Sequence, residues 1–204
     1  MTNQWDQRYA TEEYVYGTEP NVFFKSQIEK ISPGKVLMVA EGEGRNAVYA
    51  AQLGWQVVAF DISSVGKEKA DKLAASKAVE IDYQVGEFAQ LEFEAGAFDA
   101  VAVIFAHFSV DQKIKYLQRL VEYLKPGGLI IFEGYDKAQL NYRKSNNSQG
   151  GPANIDALYS VDELQQVFTG LEIILLRDEE VELQEGSLHT GVSRVVRFVG
   201  RKPA

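Results

Sequence analysis

Val36-Leu37-Met38-Val39-Ala40-Glu41-Gly42-Glu43-Gly44-Arg45-Asn46-Ala47-Val48-Tyr49-Ala50-Ala51 decides how the rest of the chain is read. A short apolar run meets a glycine-bearing turn, and the turn opens into an alanine-rich helix. That is the strand, turn and helix at which an open α/β sheet holds a nucleotide-like ligand, because glycines admit close backbone approach and the helix start offers free amides. Asp61 follows Gly42 by 19 positions, at the end of a second apolar run over 56–60. A carboxylate there accepts hydrogen bonds from both hydroxyls of a ribose. Its plainer role is to cap the next helix, and the spacing from Gly42 favours the ribose reading.

The totals bound the problem. The chain has 204 residues, 46% apolar and 25% charged, which suits a single globular domain over 1–204. Its formal net charge of −8, without a local basic patch, argues against DNA or RNA as a partner. The absence of cysteine excludes disulfides, thiolate metal sites and a catalytic thiol. Two isolated histidines make no metal site, so none is expected. No apolar run reaches the roughly 20 residues that span a bilayer. The start of the chain carries no signal-peptide pattern. A cytoplasmic protein without membrane contact, monomeric or weakly dimeric, is the expectation.

Working outward, residues 1–32 form an aromatic and polar cover with Trp5, Tyr9, Tyr14, Tyr16, Phe23 and Phe24. Short helices are expected over 3–10 and 22–30, with Gly17 to Asn21 as a turn. Most of these aromatics read as packing; Arg8, Tyr14 and Tyr16 are the polar-tipped members that could do more. After the first helix, which Gly54 stops, a lysine-bearing helix over 64–78 reads as one solvated face. Strands are expected over 81–85, 98–105 and 129–133. Ser109-x-x-Gln112 reads as a capping box for a helix that Lys125-Pro126-Gly127-Gly128 ends. Residues 141–157 form the one long polar stretch, a candidate lid. Ser160-x-x-Glu163 caps a further short helix. The runs 171–176 and 194–199 pair as an antiparallel hairpin at one sheet edge, joined through 185–191. The order is five βα units and then a hairpin. The expected fold is a three-layer αβα sandwich around a doubly wound, mainly parallel, seven-stranded sheet.

Gly42-x-Gly44-x-x-Ala47 satisfies the dinucleotide fingerprint literally. Glu41 and Glu43, however, put two carboxylates in the turn, where a pyrophosphate needs positive potential. The aromatic cover before the first strand and the hairpin finish also depart from a dinucleotide domain. An adenosine ligand carrying a sulfonium suits an acidic turn better, and that ligand is S-adenosylmethionine.

The chain resembles the class I S-adenosylmethionine-dependent methyltransferases, within them the branch of tellurite-resistance and thiopurine methyltransferases. The resemblance covers nearly the whole length. It rests on Trp5-Asp6-x-Arg8-Tyr9 with Tyr14-x-Tyr16-Gly17-x-x-Pro20-Asn21, on Glu43-Gly44-Arg45-Asn46-Ala47, on Leu124 to Gly128, and on Glu185-Gly186-x-x-His189-x-Gly191. It departs from the family's acid-x-Gly-x-Gly-x-Gly at Met38 and at Ala40, with Glu41 as an acid nearby.

The resemblance implies S-adenosyl-L-methionine as cofactor and a small-molecule methyl acceptor. Gly42 and Gly44 would let the backbone approach the methionine part, alongside Ala40, Glu41 and Asn46. Asp61 would hold the ribose and Ile62 pack on the adenine, which Glu87 and Phe88 flank. Ile104 and Phe105 would face the sulfonium side, and Arg8 would pair with the ligand's carboxylate or lie on the acceptor side. His107, His189 and Tyr16 are the catalytic candidates, as base or binder; the plain alternative is local hydrogen bonding for the histidines and core packing for Phe88 and Phe105. A soft thiol, selenium or tellurium nucleophile would need no strong base. Two further readings compete: a cofactor-binding sensor or partner protein without turnover, and a dinucleotide-dependent oxidoreductase.

Overall fold

Val36, Leu37, Met38 and Val39 are almost wholly buried and lie at the middle of the sheet. A computed structural model describes residues 3–145 and 150–204, and these form the expected three layers. The elements are α1 (Gln4–Tyr9), α2 (Val22–Ile28), β1 (Lys35–Val39), α3 (Arg45–Gln52), β2 (Gln56–Asp61), α4 (Ser64–Ser76), β3 (Asp82–Val85), β4 (Phe98–Ile104), α5 (Lys113–Glu122), β5 (Leu124–Tyr135), α6 (Gln139–Ser145), α7 (Val161–Val167), β6 (Glu172–Glu185) and β7 (His189–Arg201). The seven strands run in the order β3-β2-β1-β4-β5-β7-β6. β1 pairs in parallel with β2 and with β4, so chain order reverses between β1 and β4. Such a switch point opens a crevice at the carboxyl ends of the strands.

Alternation along each strand builds two cores. Val36 and Met38 of β1, with Ala100, Ala102 and Ile104 of β4, face Phe24 and Ile28 of α2 and Ala47 and Ala50 of α3. Leu37, Val39, Val101 and Val103 face the other way, toward Leu117 and Leu120 of α5 and Leu164 and Val167 of α7. Met38, at the family's acid position, is therefore an ordinary core side chain.

Several expectations are corrected. The βα alternation breaks once, because residues 86–97 join β3 to β4 without an α-helix. Ser109 and Gln112 do not form a capping box: α5 starts at Lys113 with no side-chain cap, and Ser109 and Gln112 line a cavity instead. Buried Lys113 fixes that start by pairing with Glu163 at 2.7 Å and donating to the Leu158 carbonyl at 2.8 Å. The expected cap at Ser160 is present, its Oγ accepting from the Glu163 amide.

The candidate lid over 141–157 is not one long loop. Its first residues belong to α6, Ile155–Ala157 form a turn of 3-10 helix, and 146–149 lie outside the described residues. The hairpin is longer than expected, with Glu185 opposite His189, so only 186–188 connect the strands. The charges of Asp178, Glu179, Glu180 and Glu182 obscured this extension, since they sit on a largely exposed ribbon. Among the described residues, no helix is long and apolar enough to cross a membrane.

Candidate functional site

A cavity of about 340 Å³ opens at the switch point, within the range of small-molecule sites. Its wall is built from loops after the first four strands. Ala40, Glu41, Gly42 and Glu43 follow β1; Asp61 and Ile62 end β2; Glu87 and Phe88 follow β3; Phe105, His107 and Phe108 follow β4. Two non-glycine residues with left-handed backbones flank the switch point, Ala40 at φ 50° and Phe105 at φ 51°. Ala40 adopts there the conformation that a glycine supplies without strain.

The glycine turn is held from three sides. Asp61 Oδ2 accepts from the Gly42 amide at 3.0 Å, and its Oδ1 accepts from Ser63 N at 2.9 Å. Tyr83 donates its hydroxyl to the Gly42 carbonyl at 2.6 Å. Glu41 Oε1 accepts from Asn46 N at 2.9 Å and Ala47 N at 2.7 Å, the first free amides of α3. The place where a pyrophosphate would sit is thus taken by the protein's own carboxylate. Burial pushes Glu41 up to about 7, against the pull of the Ala47 amide and of Arg45. Burial likewise raises Asp61 to about 6.

Glu43 plays a different part from the one its position suggested. It is buried and ion-paired with Lys69 Nζ at 2.6 Å, and it accepts from the amides of Val15 and Tyr16. Lys69 is therefore no member of a solvated face; it also donates to the Glu13 carbonyl. The pair pins the cover down. Asn3 donates to the Ile62 carbonyl, Asp6 accepts from Ser63, and Asn46 accepts from the Asn21 amide. So fixed, the cover brings Trp5, Tyr9, Tyr16 and Gly17 into the cavity wall.

The expected site residues Ala40, Glu41, Gly42, Asn46, Asp61, Ile62, Glu87, Phe88, Ile104, Phe105, His107, His189 and Tyr16 all line this one cavity. Gly44 and Arg8 do not. A Cβ on Gly44 would meet Ala70 Cβ at 2.5 Å, so this glycine serves the contact between α3 and α4. Arg8 lies over the Trp5 ring and donates to Tyr16 Oη at 3.0 Å. Sequence reasoning missed Trp5, Tyr9, Phe108 and Tyr116 as wall residues, and also Arg45. Trp5 and Tyr9, in the N-terminal motif, and Arg45, in the glycine-turn motif, carried a signal; Phe108 and Tyr116 carried none.

At the far end His189 packs against Tyr16 and Phe105, with ring centroids 4.4 and 4.6 Å apart. Its Nδ1 lies 3.3 Å from Glu185 Oε2, which also accepts from Arg45 Nη2 at 2.7 Å. Burial would raise Glu185, yet the hydrogen bonds from His189 and Arg45 outweigh it and hold the carboxyl at about 2. An ionised Glu185 requires Nδ1–H on His189, leaving Nε2 as the free acceptor. Burial lowers the His189 pKa despite Glu185, and burial holds His107 down at about 4. Burial also raises the Tyr16 hydroxyl, so it stays protonated. Among the described residues no cluster could hold a metal.

Residues 36–128 match the methyltransferase domain family. The matched segment runs from β1 into β5 and so carries the glycine turn, Asp61, Glu87 and His107, while the cover, Glu185 and His189 fall outside it. A demethylmenaquinone methyltransferase of Renibacterium salmoninarum is 35% identical over 100 residues, which are 48% of this chain and 40% of that protein. The chain thus spans well under half the length of the curated relatives it matches. Among solved structures, TehB from Haemophilus influenzae superposes with a TM-score of 0.72 at 16% identity, over 97% of this chain and 65% of TehB. A protein that converts a disulfide bond into a thioacetal group during echinomycin biosynthesis gives 0.73 at 18%, over 98% and 91%. At such identities these likenesses establish the Rossmann-like methyltransferase fold alone. The methyltransferase domain implies S-adenosyl-L-methionine as the cofactor, and the Glu41 carboxylate on the α3 amides fits a ligand without phosphates.

Proposed function

We propose that this chain is an S-adenosylmethionine-dependent methyltransferase acting on a small-molecule acceptor with a soft sulfur, selenium or tellurium nucleophile. The observation that carries the reading is the occupation of the α3 amides by Glu41 inside a cavity also walled by Asp61. It argues against a dinucleotide-dependent oxidoreductase, because a pyrophosphate would have to displace a carboxylate.

The cofactor would lie along the wall from Phe88, Ile62 and Asp61 to Gly42 and Asn46. When bound, it supplies an electrophilic methyl group on a cationic sulfur. The protein's own work is to align the acceptor and exclude water. Trp5, Tyr9, Tyr16, Phe105, His107 and His189 do this on the acceptor side. Tyr16, accepting from Arg8, keeps its own proton for an acceptor atom. His189 Nε2 can take a proton, but a lowered pKa makes it a mild base. That suits an acceptor that ionises by itself. The sulfur chemistry of the echinomycin protein supports such an acceptor; the demethylmenaquinone relative supports a quinone-type ring instead.

Cytoplasmic location and a monomer or weak dimer complete the reading. A protein that binds the cofactor without turnover remains the second reading, favoured by the left-handed Ala40 at the family's glycine position. Incubation with methyl-labelled cofactor and a panel of thiols, selenite, tellurite and a demethylated quinol tests both. Label transfer to a chalcogen acceptor is expected; transfer only to the quinol would overturn the acceptor class. Tight cofactor binding with no transfer to any acceptor would favour the second reading.

A further inference from the structure

Asn21 is 1% exposed and stands where the cover enters α2. Its Oδ1 accepts from the Phe24 amide at 2.8 Å and so caps α2. Its Nδ2 donates to Glu133 Oε2 at 2.6 Å and to Glu185 Oε1 at 2.9 Å. Both amide hydrogens are thus used, and the amide cannot turn over, because the carboxylates would then face an oxygen. Capping needs only the oxygen, which serine or threonine also supplies. Neither carboxylate needs the amide for charge. Glu133 has Arg197 at 2.6 Å, and Glu185 has Arg45 at 2.7 Å.

What the amide adds is direction. Left to Arg45 alone, Glu185 could turn both oxygens to the guanidinium in the two-pronged pairing that arginine favours. With Asn21 on Oε1, Oε2 stays between Arg45 and His189 Nδ1. Glu133, the other carboxylate on the amide, belongs to β5 and is braced by Arg197 of β7. Asn21 is therefore tied to the sheet as well as to the carboxylate that it directs.

We propose that Asn21 is a positioning residue for His189: through Glu185 it fixes the imidazole with Nδ1–H on the carboxylate and Nε2 open to the acceptor's proton. The inference rests on the methyl-transfer reading above. As the acceptor atom bonds to the methyl carbon, the carbon–sulfur bond breaks with its electron pair left on sulfur, and the acceptor's proton passes to Nε2. One positive charge leaves sulfur and one arrives on the imidazole. Glu185, already ionised and on Nδ1, compensates it inside the protein.

The charged and titratable groups around His189 are Glu185 on β6, Arg45 on α3, Arg8 on α1, Tyr16 in the cover, His107 after β4 and Tyr135 on β5. Burial lowers the His189 pKa most, Glu185 opposes it, and Arg45 and Arg8 add to the lowering. Turning Glu185 away from the ring lowers it further.

Nitrogen-15 NMR of the histidine rings tests the role, with His107→Asn to assign the signals. The parent is compared with Asn21→Ser, which keeps a capping oxygen and loses the amide. His189 in the parent should be neutral at about pH 7 and protonated on Nδ1. Asn21→Ser should show a mixture of the two tautomers and a lower His189 pKa, with a melting temperature close to that of the parent. Calorimetry should give the two proteins the same affinity for the demethylated cofactor. The kcat with whichever thiol, selenite, tellurite or quinol the parent methylates should fall about 10-fold. Within Glu185→Gln, adding Asn21→Ser should lower kcat no further, since Asn21 acts through that carboxylate.

A parent His189 protonated on Nε2 would overturn the proposal. So would an Asn21→Ser protein with the parent's tautomer and pKa, or an equal loss of kcat from Asn21→Ser in both backgrounds. If Asn21→Ser does not fold, Asn21→Thr, a second capping hydroxyl without the amide, takes its place. A parent that binds no cofactor and methylates none of the panel would sink the methyl-transfer reading, and the tautomer shift would then decide the role of Asn21 by itself.

Discussion

Glu185 Oε2 stands 3.3 Å from His189 Nδ1 across the three-residue connection of the hairpin. Arg45 binds the same oxygen at 2.7 Å, and both partners are almost wholly buried. Glu185 is held at about 2 in the fold, against an ordinary value of 4.5. A carboxyl so depressed adds stability that is complete above about pH 4.5 and is lost as pH falls toward 2. Urea unfolding over a pH series should show this loss. Glu185→Gln should lack that part of it and be less stable at neutral pH by about 3 kcal/mol, because Arg45 is left uncompensated.

Glu41 and Asp61 act with the opposite sign. Their folded values, about 7 and about 6, lie above the ordinary 4.5 and 3.8. Without ligand, the fold takes up protons as pH falls through 7, and the contribution of these two groups to stability grows until their ordinary values are reached. Saturating cofactor should flatten this rise. Thermal unfolding between about pH 4.5 and 8, with and without the demethylated cofactor, measures both curves.

The two histidines should separate in kinetics. His189→Asn removes the Nε2 acceptor that would face the methyl end on the proposed reading, and turnover is expected to fall about 100-fold while binding of the demethylated cofactor changes little. His107, held at about 4, is neutral throughout the working range. His107→Asn should therefore leave the shape of the pH–rate profile unchanged above pH 5, about one unit beyond that value. A profile altered by His107→Asn alone would exchange their roles.

Gly44→Ala should destabilise the protein by about 2–3 kcal/mol, since the new Cβ meets Ala70 at 2.5 Å on a backbone with φ 89°. Ala70→Gly in the same chain should restore part of the loss, leaving the strain of the left-handed backbone. Equilibrium unfolding of the single and double variants reads the coupling.

Lys69→Met strands the Glu43 carboxylate beneath the cover. A loss of about 3 kcal/mol is expected. Protease cleavage within the exposed 10–13 segment should also rise, with weaker cofactor binding. Unchanged cleavage would show that the remaining contacts suffice to hold the cover.

What was legible in the sequence was local. The glycine turn, Asp61, and the apolar strands around them are patterns a few residues long, and they located both the switch point and most of the cavity wall. The ion pairs were not legible. Lys69 meets Glu43 across 26 positions and Arg45 meets Glu185 across 140, and nothing in the spacing of one residue reveals the other. Glu43 therefore read as charge offered to the ligand when it is spent on the cover. Trp5 and Tyr9 read mainly as packing because helical spacing cannot say whether the surface they cover is core or cavity. The hairpin was truncated because its outer half carries the charge run Asp178, Glu179, Glu180 and Glu182, a pattern shared by solvated loops and exposed ribbons.

Asn21 gives the fold an order of assembly. Its side-chain amide donates to Glu133 at 2.6 Å and to Glu185 at 2.9 Å, partners 112 and 164 positions further along the chain. Such distant closures form late and slow a folding reaction dominated by them. The half of the cavity built from β1 to β4 needs neither closure. His189 needs the second, because it is oriented by the carboxylate that Asn21 and Arg45 hold. A chain growing from its N-terminus thus has the wall that would hold the adenosine laid down well before His189 and the carboxylate that orients it.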